Sequence, residues 1–457
     1  MKPAPSIMWF RRDLRLGDNP ALLAAADQGP VLALFVLDPA LIRPSGAPRQ
    51  TFLFRTLRVL DQQLRERGGG LTIRAGNPTE VVPQLAKETG ARTVHIAADF
   101  GPYGATRDLA VKRVMDEDGI ALIRTGSPYA VSPGRIRNAA GEPYRVFTPF
   151  YRAWRRHGWR RPAPPPPADT QWATCPILPI PTDGTDTATA RPVLLDAGEP
   201  AAHSRWIQFR HDRLALYSEH RNYPATQGTS RLSVDLKFGT MHPRTLLADL
   251  KSEDDAFARQ LAWREFYATV LHFWPDSARS SFLPRMATMM WATGPQADQH
   301  FSSWQQGRTG YPLVDAGMRQ LAATGWMHNR VRMVAASFLV KDLHIAWPRG
   351  ARHFMRHLVD GDLANNQHGW QWAAGTGTDA APYYRVLNPI TQSRRFDLAG
   401  DYIRQWIPEL EGLTTPHIHA PWESPGGPPN GYPAPIVDHT IERQVALDMY
   451  RATSDDV

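Results

Sequence analysis

The sequence is poor in cysteine and lysine and has no long hydrophobic run. Its one cysteine, Cys175, can form neither an intramolecular disulfide nor a four-cysteine iron–sulfur cluster. No stretch approaches the roughly 18 consecutive apolar residues that a transmembrane helix needs. The first residues, MKPAPSIMWFRRD, also lack the apolar core of a secretory signal. We therefore expect a cytoplasmic protein without a membrane anchor.

The scarcity of lysine leaves arginine as the main cation. Only six of the 52 basic residues are lysine, and the formal net charge is +8. Arginine binds phosphate groups in a bidentate way, although a genome that prefers arginine codons would produce the same bias. The sign of the charge favours a polyanionic partner.

The first half of the chain has the pattern of a layered α/β domain. Short apolar, β-branched runs alternate there with amphipathic stretches such as residues 50–67, which is typical of a doubly wound parallel sheet. The runs are Ser6–Phe10, Val31–Asp38, Leu71–Gly76, Thr93–Asp99 and Ala121–Gly126.

A second domain is expected because 457 residues exceed the roughly 250 to 300 at which one core usually divides. After Ala201 the pattern becomes helical, and eleven of the fifteen tryptophans lie there. Between the halves, RRPAPPPPAD and PILPIPTDG are rich in proline, which blocks helices and central strands. We predict an α/β domain over residues 1–130, a proline-rich linker over 131–200 and an all-α domain over 201–457.

The segment from Asp360 to Trp372, DGDLANNQHGWQW, combines acids, amides and tryptophans. Buried carboxylates and amides cost free energy unless they are hydrogen-bonded, so this mixture indicates a polar aromatic ligand held inside the protein. Asp360 and Asp362 resemble the start of a calcium loop, but the later ligands and the closing glutamate are absent, so we predict no metal. The pattern is also compatible with one of the two aspartates capping a helix.

This segment resembles the flavin domain of the photolyase and cryptochrome family. Three further motifs carry the resemblance: GTSRLS at 228–233, LAWREFY at 261–267 and TGYPLVDAGMRQLAATGWMHNRVRM at 309–333. The similarity extends from WFRRDLRLGDN at Trp9 to about Leu410, and it is greatest to the class I cyclobutane pyrimidine dimer photolyases. It implies an α/β antenna-binding domain followed by an all-α domain that binds FAD and DNA.

For FAD, the resemblance implies a phosphate clamp, a salt bridge and a contact to the ring. The hydroxyls and amides of GTSRLS, at a predicted helix start, suit a pyrophosphate, although such clusters by themselves are more often helix caps. Arg332 and Asp360 would pair beside the isoalloxazine, and Asn366 would face its reactive nitrogen as a neutral acceptor. The implied FAD contacts are Tyr217, Thr229, Ser230, Arg231, Leu232, Ser233, Arg264, Arg332, Asp360, Asp362 and Asn366.

Helical spacing suggests a substrate pocket. Gln260, Trp263 and Arg264 fall at i, i+3 and i+4, on one helical face, whereas Trp370 and Trp372 point apart. Each tryptophan is equally compatible with ordinary core. The resemblance implies that Trp263 and Trp372 sandwich a flipped dimer, and that these two residues, Gln260 and Asn366 are catalytic. The implied DNA contacts are Arg221, Gln260, Trp263, Asn329, Arg330, Met333 and Trp372.

Two positions depart from the family pattern. Gln260 stands where cyclobutane dimer photolyases usually have glutamate, and an amide keeps a donor and an acceptor without a charge. Glutamine at this place is similar to the (6-4) photolyases, but those have a histidine pair where this chain has Asn329 and Met333. Val234 replaces a common proline, and we attach no consequence to it.

Three tryptophans resemble the family's electron-hopping chain from the flavin to the surface. They are Trp370, Trp347 and Trp291. Trp291 aligns only across a short gap, so it is also compatible with a tryptophan that packs at the surface.

A second pigment, the antenna, is implied in the family's cleft beside the first domain. Arg11, Asp99 and Lys237 resemble a site for 8-hydroxy-deazaflavin more than one for methenyltetrahydrofolate. Lys237 is also compatible with a solvated lysine at a helix end.

The function implied by the resemblance is light-driven repair of cyclobutane pyrimidine dimers in DNA. Excited, reduced FAD donates an electron to the flipped dimer in such enzymes, which are carbon–carbon lyases, and we expect a monomer. The alternative is a signalling cryptochrome, but only RATSDDV follows the predicted last helix, IERQVALDMY. The DASH cryptochromes tend to have tyrosine at the place of Trp372, and the plant cryptochromes have aspartate at the place of Asn366. A third alternative is a nucleotide-binding protein that consists of the α/β fold alone. It does not explain the second half of the chain.

Overall fold

The computed structural model describes residues 4–176, 178–182, 194–378, 384–429 and 431–453. These residues form two compact units. The first holds the described residues up to Thr182 together with Leu194–Ala215 and Ser230–Pro275, and the second holds Leu216–Thr229 and the described residues from Asp276 onward. In the described ranges, no helix is both long and apolar enough to cross a membrane.

A five-stranded parallel sheet lies in the first unit, with the strand order β3-β2-β1-β4-β5. Every residue of β1 is buried, as is nearly all of β2, which explains why their sequences are continuous apolar runs. All five predicted strands are present, and four of them end slightly earlier than predicted. The strands are β1 (Ser6–Phe10), β2 (Val31–Leu37), β3 (Leu71–Ala75), β4 (Thr93–Ile96) and β5 (Ala121–Arg124).

Four of the ten described helices of the first unit begin with proline directly after a residue whose side chain caps the helix. For example, Asn77 caps α4, whose C-terminal residue is followed by Gly90 at a left-handed φ of 69°. The helices are α1 (Pro20–Ala26), α2 (Pro39–Ile42), α3 (Ala47–Arg65), α4 (Pro78–Thr89), α5 (Pro102–Glu117), α6 (Phe147–His157), α7 (Glu199–Asp212), α9 (Ser233–Phe238), α10 (Pro243–Asp249) and α11 (Asp255–Phe273).

The second unit has no strand among its described residues, in agreement with the predicted all-α region. Its core is formed mainly by α13 (Pro312–Thr324) and α14 (Asn329–Lys341), with Phe338 and Leu339 fully buried. The helices are α8 (Tyr217–His220), α12 (Pro295–Gln305), α13 (Pro312–Thr324), α14 (Asn329–Lys341), α15 (Trp347–His357), α16 (Leu363–Ala374), α17 (Pro389–Phe396), α18 (Asp401–Trp406), α19 (Thr415–Ile418) and α20 (His439–Ala452).

The range predicted to be a linker, 131–200, contains the helix α6. Its aromatic residues Phe147, Phe150, Tyr151 and Trp154 recur at helical spacing and are all buried. The proline-rich part that follows it, from Gly158 to residue 169, has no helix or strand. The three domain ranges remain a prediction.

Lys341 is a buried cation at the end of α14. Its Nζ donates a hydrogen bond to the backbone oxygen of Arg385 at 2.5 Å and lies 4.1 Å from the centre of the Tyr384 ring. Burial lowers the pKa of Lys341 to about 7, and the neighbouring Asp342 offsets part of that effect. Near pH 7 the folded protein therefore holds this amine partly in its neutral form.

We expect Lys341→Met to flatten the dependence of stability on pH. Because the folded-state pKa of Lys341 lies below its ordinary value of 10.5, the unfolded chain binds more protons between those pH values, and wild-type stability rises with pH there. From pH 6 to pH 8 the wild type should gain about 1.4 kcal/mol relative to the variant, measured by urea unfolding. Lys251→Met, at an exposed lysine, is the control. Equal pH slopes for the wild type and Lys341→Met would contradict the prediction.

Candidate functional site

Three predicted site residues lie on α11, in the first unit. Arg264 donates hydrogen bonds of 2.9 Å to the backbone oxygens of Pro128 and Leu236, so its guanidinium is held by its own unit. Gln260 is half-buried, and its one side-chain hydrogen bond within the described chain is a long one, from Nε2 to the backbone one turn earlier at 3.5 Å. The carbonyl oxygen of Gln260 therefore has no protein donor in that part of the chain. Trp263 lies between them on the same face of the helix.

A buried carboxylate joins α11 to α6. Glu265 accepts hydrogen bonds from the backbone nitrogens of Ala130 and Val131 and, at 2.7 Å, from Nε1 of Trp154. Burial raises the pKa of Glu265, while these three hydrogen bonds oppose the shift. Because unpaired buried carboxylates are costly, the three donors fix α6 and the chain at 130–131 against α11.

An aromatic residue that sequence reasoning missed stacks on the indole of Trp263 and fixes its orientation. Phe147, at the start of α6, stacks on it with ring centres 3.7 Å apart and an angle of 9° between the planes. Phe266 and Tyr267 flank the same indole at 5.6 and 5.3 Å. The guanidinium of Arg259 lies 5.3 Å from the centre of the Phe147 ring. The signal for Phe147 was the aromatic spacing of FTPFYRAW, which the neighbouring prolines obscured.

The loop predicted to bind phosphate leads into α9. This helix begins at Ser233, and its N-cap residue, Leu232, provides no side-chain cap. Ser230 accepts a hydrogen bond from the backbone nitrogen of Leu232 at 3.4 Å. Arg231 has a left-handed φ of 55°, which is uncommon for a residue with a side chain. Such backbone strain is typical of loops that contact ligands.

The other predicted phosphate contacts lie in the second unit. Tyr217 is buried in α8, and the guanidinium of Arg221 lies 5.5 Å from the centre of its ring. Gly228 approaches the backbone of His220 so closely that a Cβ would lie 2.5 Å from its oxygen. Glycine is therefore required there, directly before Thr229, whose side chain forms no hydrogen bond within the described chain.

The acidic segment begins with an ion pair and a helix cap. Asp360, with 2% of its side chain exposed, contacts Nη2 of Arg332 at 2.9 Å, and Arg332 also donates to the backbone oxygen of Met327. Asp362 caps α16 and accepts hydrogen bonds from the backbone and side chain of Asn365 at 3.1 and 2.8 Å. Over the described residues, no group of three or more histidine, cysteine, aspartate or glutamate side chains could hold a metal ion.

Asn366 has a defined amide orientation. Its Nδ2 donates to the backbone oxygen of Ala351 at 3.1 Å and to Oε1 of Gln367 at 2.8 Å. Since a backbone oxygen can only accept, the amide nitrogen must face Ala351. Oδ1 of Asn366 then has no donor among the residues that the structure describes. This arrangement fits a ligand that presents an N–H group, as the protonated nitrogen of a reduced flavin does.

The three predicted electron-hopping tryptophans lie in the second unit. Trp370 and Trp347 are buried in its core, and Trp291 packs half-buried against that core. A Cβ at Gly350 would lie 2.2 Å from the Trp370 ring, so glycine lets this indole contact α15 directly. The centre of the Trp370 ring lies 4.9 Å from that of Phe354 and 6.0 Å from that of Trp304. Sequence reasoning missed Trp304.

The remaining predicted DNA contacts also lie in the second unit. Asn329 and Met333 touch across one turn of α14. Arg330 donates to Oδ1 of Asn222 at 2.8 Å and lies 4.3 Å from the Phe396 ring centre. Burial lowers the pKa of Arg330, and two neighbouring arginines lower it further, so an anion would stabilise this cluster. Trp372, unlike Trp370, is only partly buried, as the two-residue spacing requires.

The predicted antenna residues lie in the first unit. Arg11 and Asp99 follow β1 and β4, the neighbouring parallel strands at which the order of the sheet reverses, a common place for ligands in such folds. Arg11 contacts Asp108 at 2.5 Å, and Asp99 contacts Arg107 at 3.5 Å. Burial opposes the ionisation of Asp99, but the surrounding arginines outweigh it and lower its pKa. Lys237 lies in α9.

Comparison with known proteins identifies the family of the chain. Residues 6–168 match the family described as DNA photolyase, and residues 257–452 match the FAD binding domain of DNA photolyase. A deoxyribodipyrimidine photo-lyase of Halobacterium salinarum is 40% identical over 98% of this chain and 100% of its own length. The crystal structure of a class III photolyase from Agrobacterium tumefaciens covers 100% of this chain and 98% of its own, with 36% identity and a TM-score of 0.91. An archaeal photolyase from Sulfolobus tokodaii, solved with two FAD molecules, covers 98% of this chain and 100% of its own, with 29% identity and a TM-score of 0.85. The chain belongs to the DNA photolyase family and contains the family's FAD-binding domain.

Proposed function

We propose that this chain repairs cyclobutane pyrimidine dimers in DNA in a light-dependent reaction with FAD. The observation that carries the proposal is Trp263 on α11. One face of this half-buried indole is covered by Phe147, and an amide with an open acceptor, Gln260, precedes it by one helical turn. A rigid aromatic plane beside a neutral polar group suits an unstacked pyrimidine pair.

The protein's own residues would bind and orient the flavin. Thr229, Ser230 and Ser233 supply hydroxyl groups for the phosphates. Arg332, neutralised by Asp360, would help to hold the isoalloxazine, and the open Oδ1 of Asn366 would accept a hydrogen bond from its N–H group. Bound, reduced FAD would supply the chemistry of the reaction, the light-driven transfer of one electron to the dimer and its later return. No protein nucleophile is needed, so binding, orientation and electrostatics are the protein's part.

The DNA would be bound with the dimer rotated out of the helix. Extrusion of a damaged pair costs a few kcal/mol, because its base pairing is already weak. Stacking on Trp263 and Trp372 returns roughly 1 to 3 kcal/mol per base, and Arg221 and Arg330 attract the phosphates. Asn329 and Met333 complete the proposed contacts.

The test is direct. The reduced protein is illuminated with an oligonucleotide that contains one thymine dimer, and intact thymines are assayed. Restoration of thymine in the light but not in the dark is expected. Flavin binding without any repair would overturn the enzymatic proposal and favour the cryptochrome alternative, whereas a chain that binds no flavin after reconstitution would overturn both.

We also propose that the first unit binds a second pigment, the antenna. Arg11 and Asp99, at the point where the strand order reverses, and Lys237 are the proposed contacts for 8-hydroxy-deazaflavin, with methenyltetrahydrofolate as the alternative. The clustered, buried arginines support an anionic or strongly polar ligand. Reconstitution with each pigment, followed by measurement of energy transfer to FAD, distinguishes the two.

We expect Asn366→Asp to lower the midpoint potential of the bound flavin. Aspartate would lose the hydrogen bond to Ala351 and place a negative charge beside the reduced flavin anion. The expected shift is on the order of 30 to 60 mV for the two-electron couple, measured by spectroelectrochemical titration. Asn388→Asp adds the same charge at the N-cap of α17 and is the control. An unchanged potential in Asn366→Asp would place the residue away from the flavin.

We expect Gln260→Glu to change the repair yield only modestly. Glutamine offers both a donor and an acceptor to the carbonyl and N–H edge of the dimer, which covers the hydrogen bonds of a carboxyl group. The measurement is the single-turnover repair yield of the wild type, Gln260→Glu and Gln260→Ala across neutral pH. A large, pH-dependent gain in Gln260→Glu would show that proton sharing is required, and an unchanged yield in Gln260→Ala would remove this residue from the substrate contact.

A further inference from the structure

A long segment around α6 contains arginine and no acidic residue. Between Glu142 and Asp169 the chain has six arginines and one histidine and not one aspartate or glutamate. Three of these arginines lie on α6 itself, and two follow it at 160 and 161. Of the site residues described above, only Phe147 and Trp154 belong to this basic segment, and none of its arginines does.

The helix α6 has two distinct faces. Its aromatic residues are buried, whereas Arg152, Arg155 and Arg156 are exposed, as are Arg160 and Arg161 after the helix. Within the described chain, none of these five guanidinium groups lies within 4.0 Å of a carboxylate. Arginines in a solvent-facing row without counter-ions form an uncompensated positive surface, which attracts polyanions.

The buried face of the same helix contacts the proposed substrate wall. Phe147 stacks on Trp263, and Nε1 of Trp154 donates to the buried carboxylate of Glu265 on α11. A polyanion bound along the exposed face of α6 would therefore lie at a fixed position relative to Trp263. Because the same helix supports Trp263, the DNA that carries the dimer is the polyanion that this face would meet.

We propose that the exposed arginines of α6 and of residues 160–161 bind backbone phosphates of the DNA that flanks the dimer. This inference rests on the proposed function. The eleven residues of α6 span about 16 Å, the length of about five base-pair steps. Arginine forks contact phosphate oxygens without reading bases, so the contribution is independent of sequence and of damage.

The test compares two triple variants in salt titrations of DNA binding. The first is Arg152→Gln with Arg155→Gln and Arg156→Gln. The control is Arg67→Gln with Arg92→Gln and Arg113→Gln, which removes the same charge from exposed arginines of the same unit. Flavin content and circular dichroism confirm that both variants are folded.

For the α6 variant, the slope of log K against log salt should become shallower by about 2 to 3, because each lost phosphate contact removes about 0.9. Affinity for dimer-containing and intact duplex should fall by the same factor, at least tenfold at low salt, and the control should retain the wild-type slope. An unchanged slope in the α6 variant, an equal change in the control, or a loss confined to damaged DNA would each overturn the inference. Absence of repair by the wild type would instead overturn the proposed function, and the salt slopes would still be measurable.

Discussion

Arg332→Leu is expected to remove most of the bound flavin and to lower the free energy of unfolding by about 3 to 5 kcal/mol. Arg332 is the only cation within reach of Asp360 among the described residues, and the Asp360 carboxylate is almost fully buried. Leucine fills a similar volume but leaves that carboxylate without a partner. The flavin is proposed to lie beside this ion pair. In the variant it would lose the contact with Arg332 and would lie beside an uncompensated negative charge.

The measurements are visible flavin absorbance per purified chain and urea unfolding of the flavin-free protein. Arg319→Leu is the matched control, because Arg319 contacts both oxygens of Glu409 at 2.7 and 3.0 Å, but both side chains are partly exposed. The difference lies in the carboxylates, because the Glu409 side chain is 27% exposed and water can solvate it once Arg319 is removed, so the expected loss of stability is smaller than in Arg332→Leu. Adding Asp360→Asn to Arg332→Leu should restore part of the lost stability, since it removes the buried charge. Full flavin occupancy in Arg332→Leu would place the cofactor elsewhere.

The strands of the sheet could be predicted from sequence because each is a short apolar run bounded by turns. β1 begins and ends where predicted, whereas β4 ends at Ile96 rather than Asp99. The next residues, Ala97 to Asp99, lie beyond the strand at the sheet's carboxyl edge, although the two alanines continue the apolar run. Periodicity does not mark where strand pairing stops.

The helix α6 shows what local pattern could not predict. Its aromatic spacing is typical of a buried helix, but the proline-rich segment beside it favoured a linker. What identifies α6 is contact with α11, which is more than a hundred residues away along the chain. The same holds for Trp304 beside Trp370, because neither ring predicts the other. Long-range packing carries no local signal.

The polar residues of the candidate site could be predicted from the sequence more closely than α6 could. Helical spacing correctly grouped Gln260, Trp263 and Arg264 on α11, but it did not show that Arg264 is bound to backbone oxygens. The ion pair of Arg332 and Asp360 was implied by resemblance alone, since 28 residues separate the partners.

Trp263→Ala is expected to lower the preference for dimer-containing over intact duplex by about 5- to 150-fold, the equivalent of 1 to 3 kcal/mol of lost stacking. Binding to intact DNA should change little, because phosphate contacts supply most of that affinity. Flavin absorbance should be unaffected. Fluorescence titrations with both duplexes measure the ratio, and Trp274→Ala, at the half-buried C-cap of the same helix, is the control. Equal affinity of the wild type for damaged and intact duplex would already contradict the proposed pocket.

Variants of Phe147 test whether the preference for the dimer depends on the orientation of Trp263 or only on its presence. In Phe147→Leu the volume is largely kept, but the flat surface that holds the indole at 9° is lost. The dimer preference should therefore fall by a few-fold, whereas Phe147→Tyr should retain it. Phe150→Leu alters the same helix next to Phe266 without touching Trp263, so it accounts for any general loosening of α6. If both leucine variants lower the preference equally, α6 supports the fold rather than the orientation of Trp263, and if neither does, the open face of the indole alone binds the dimer.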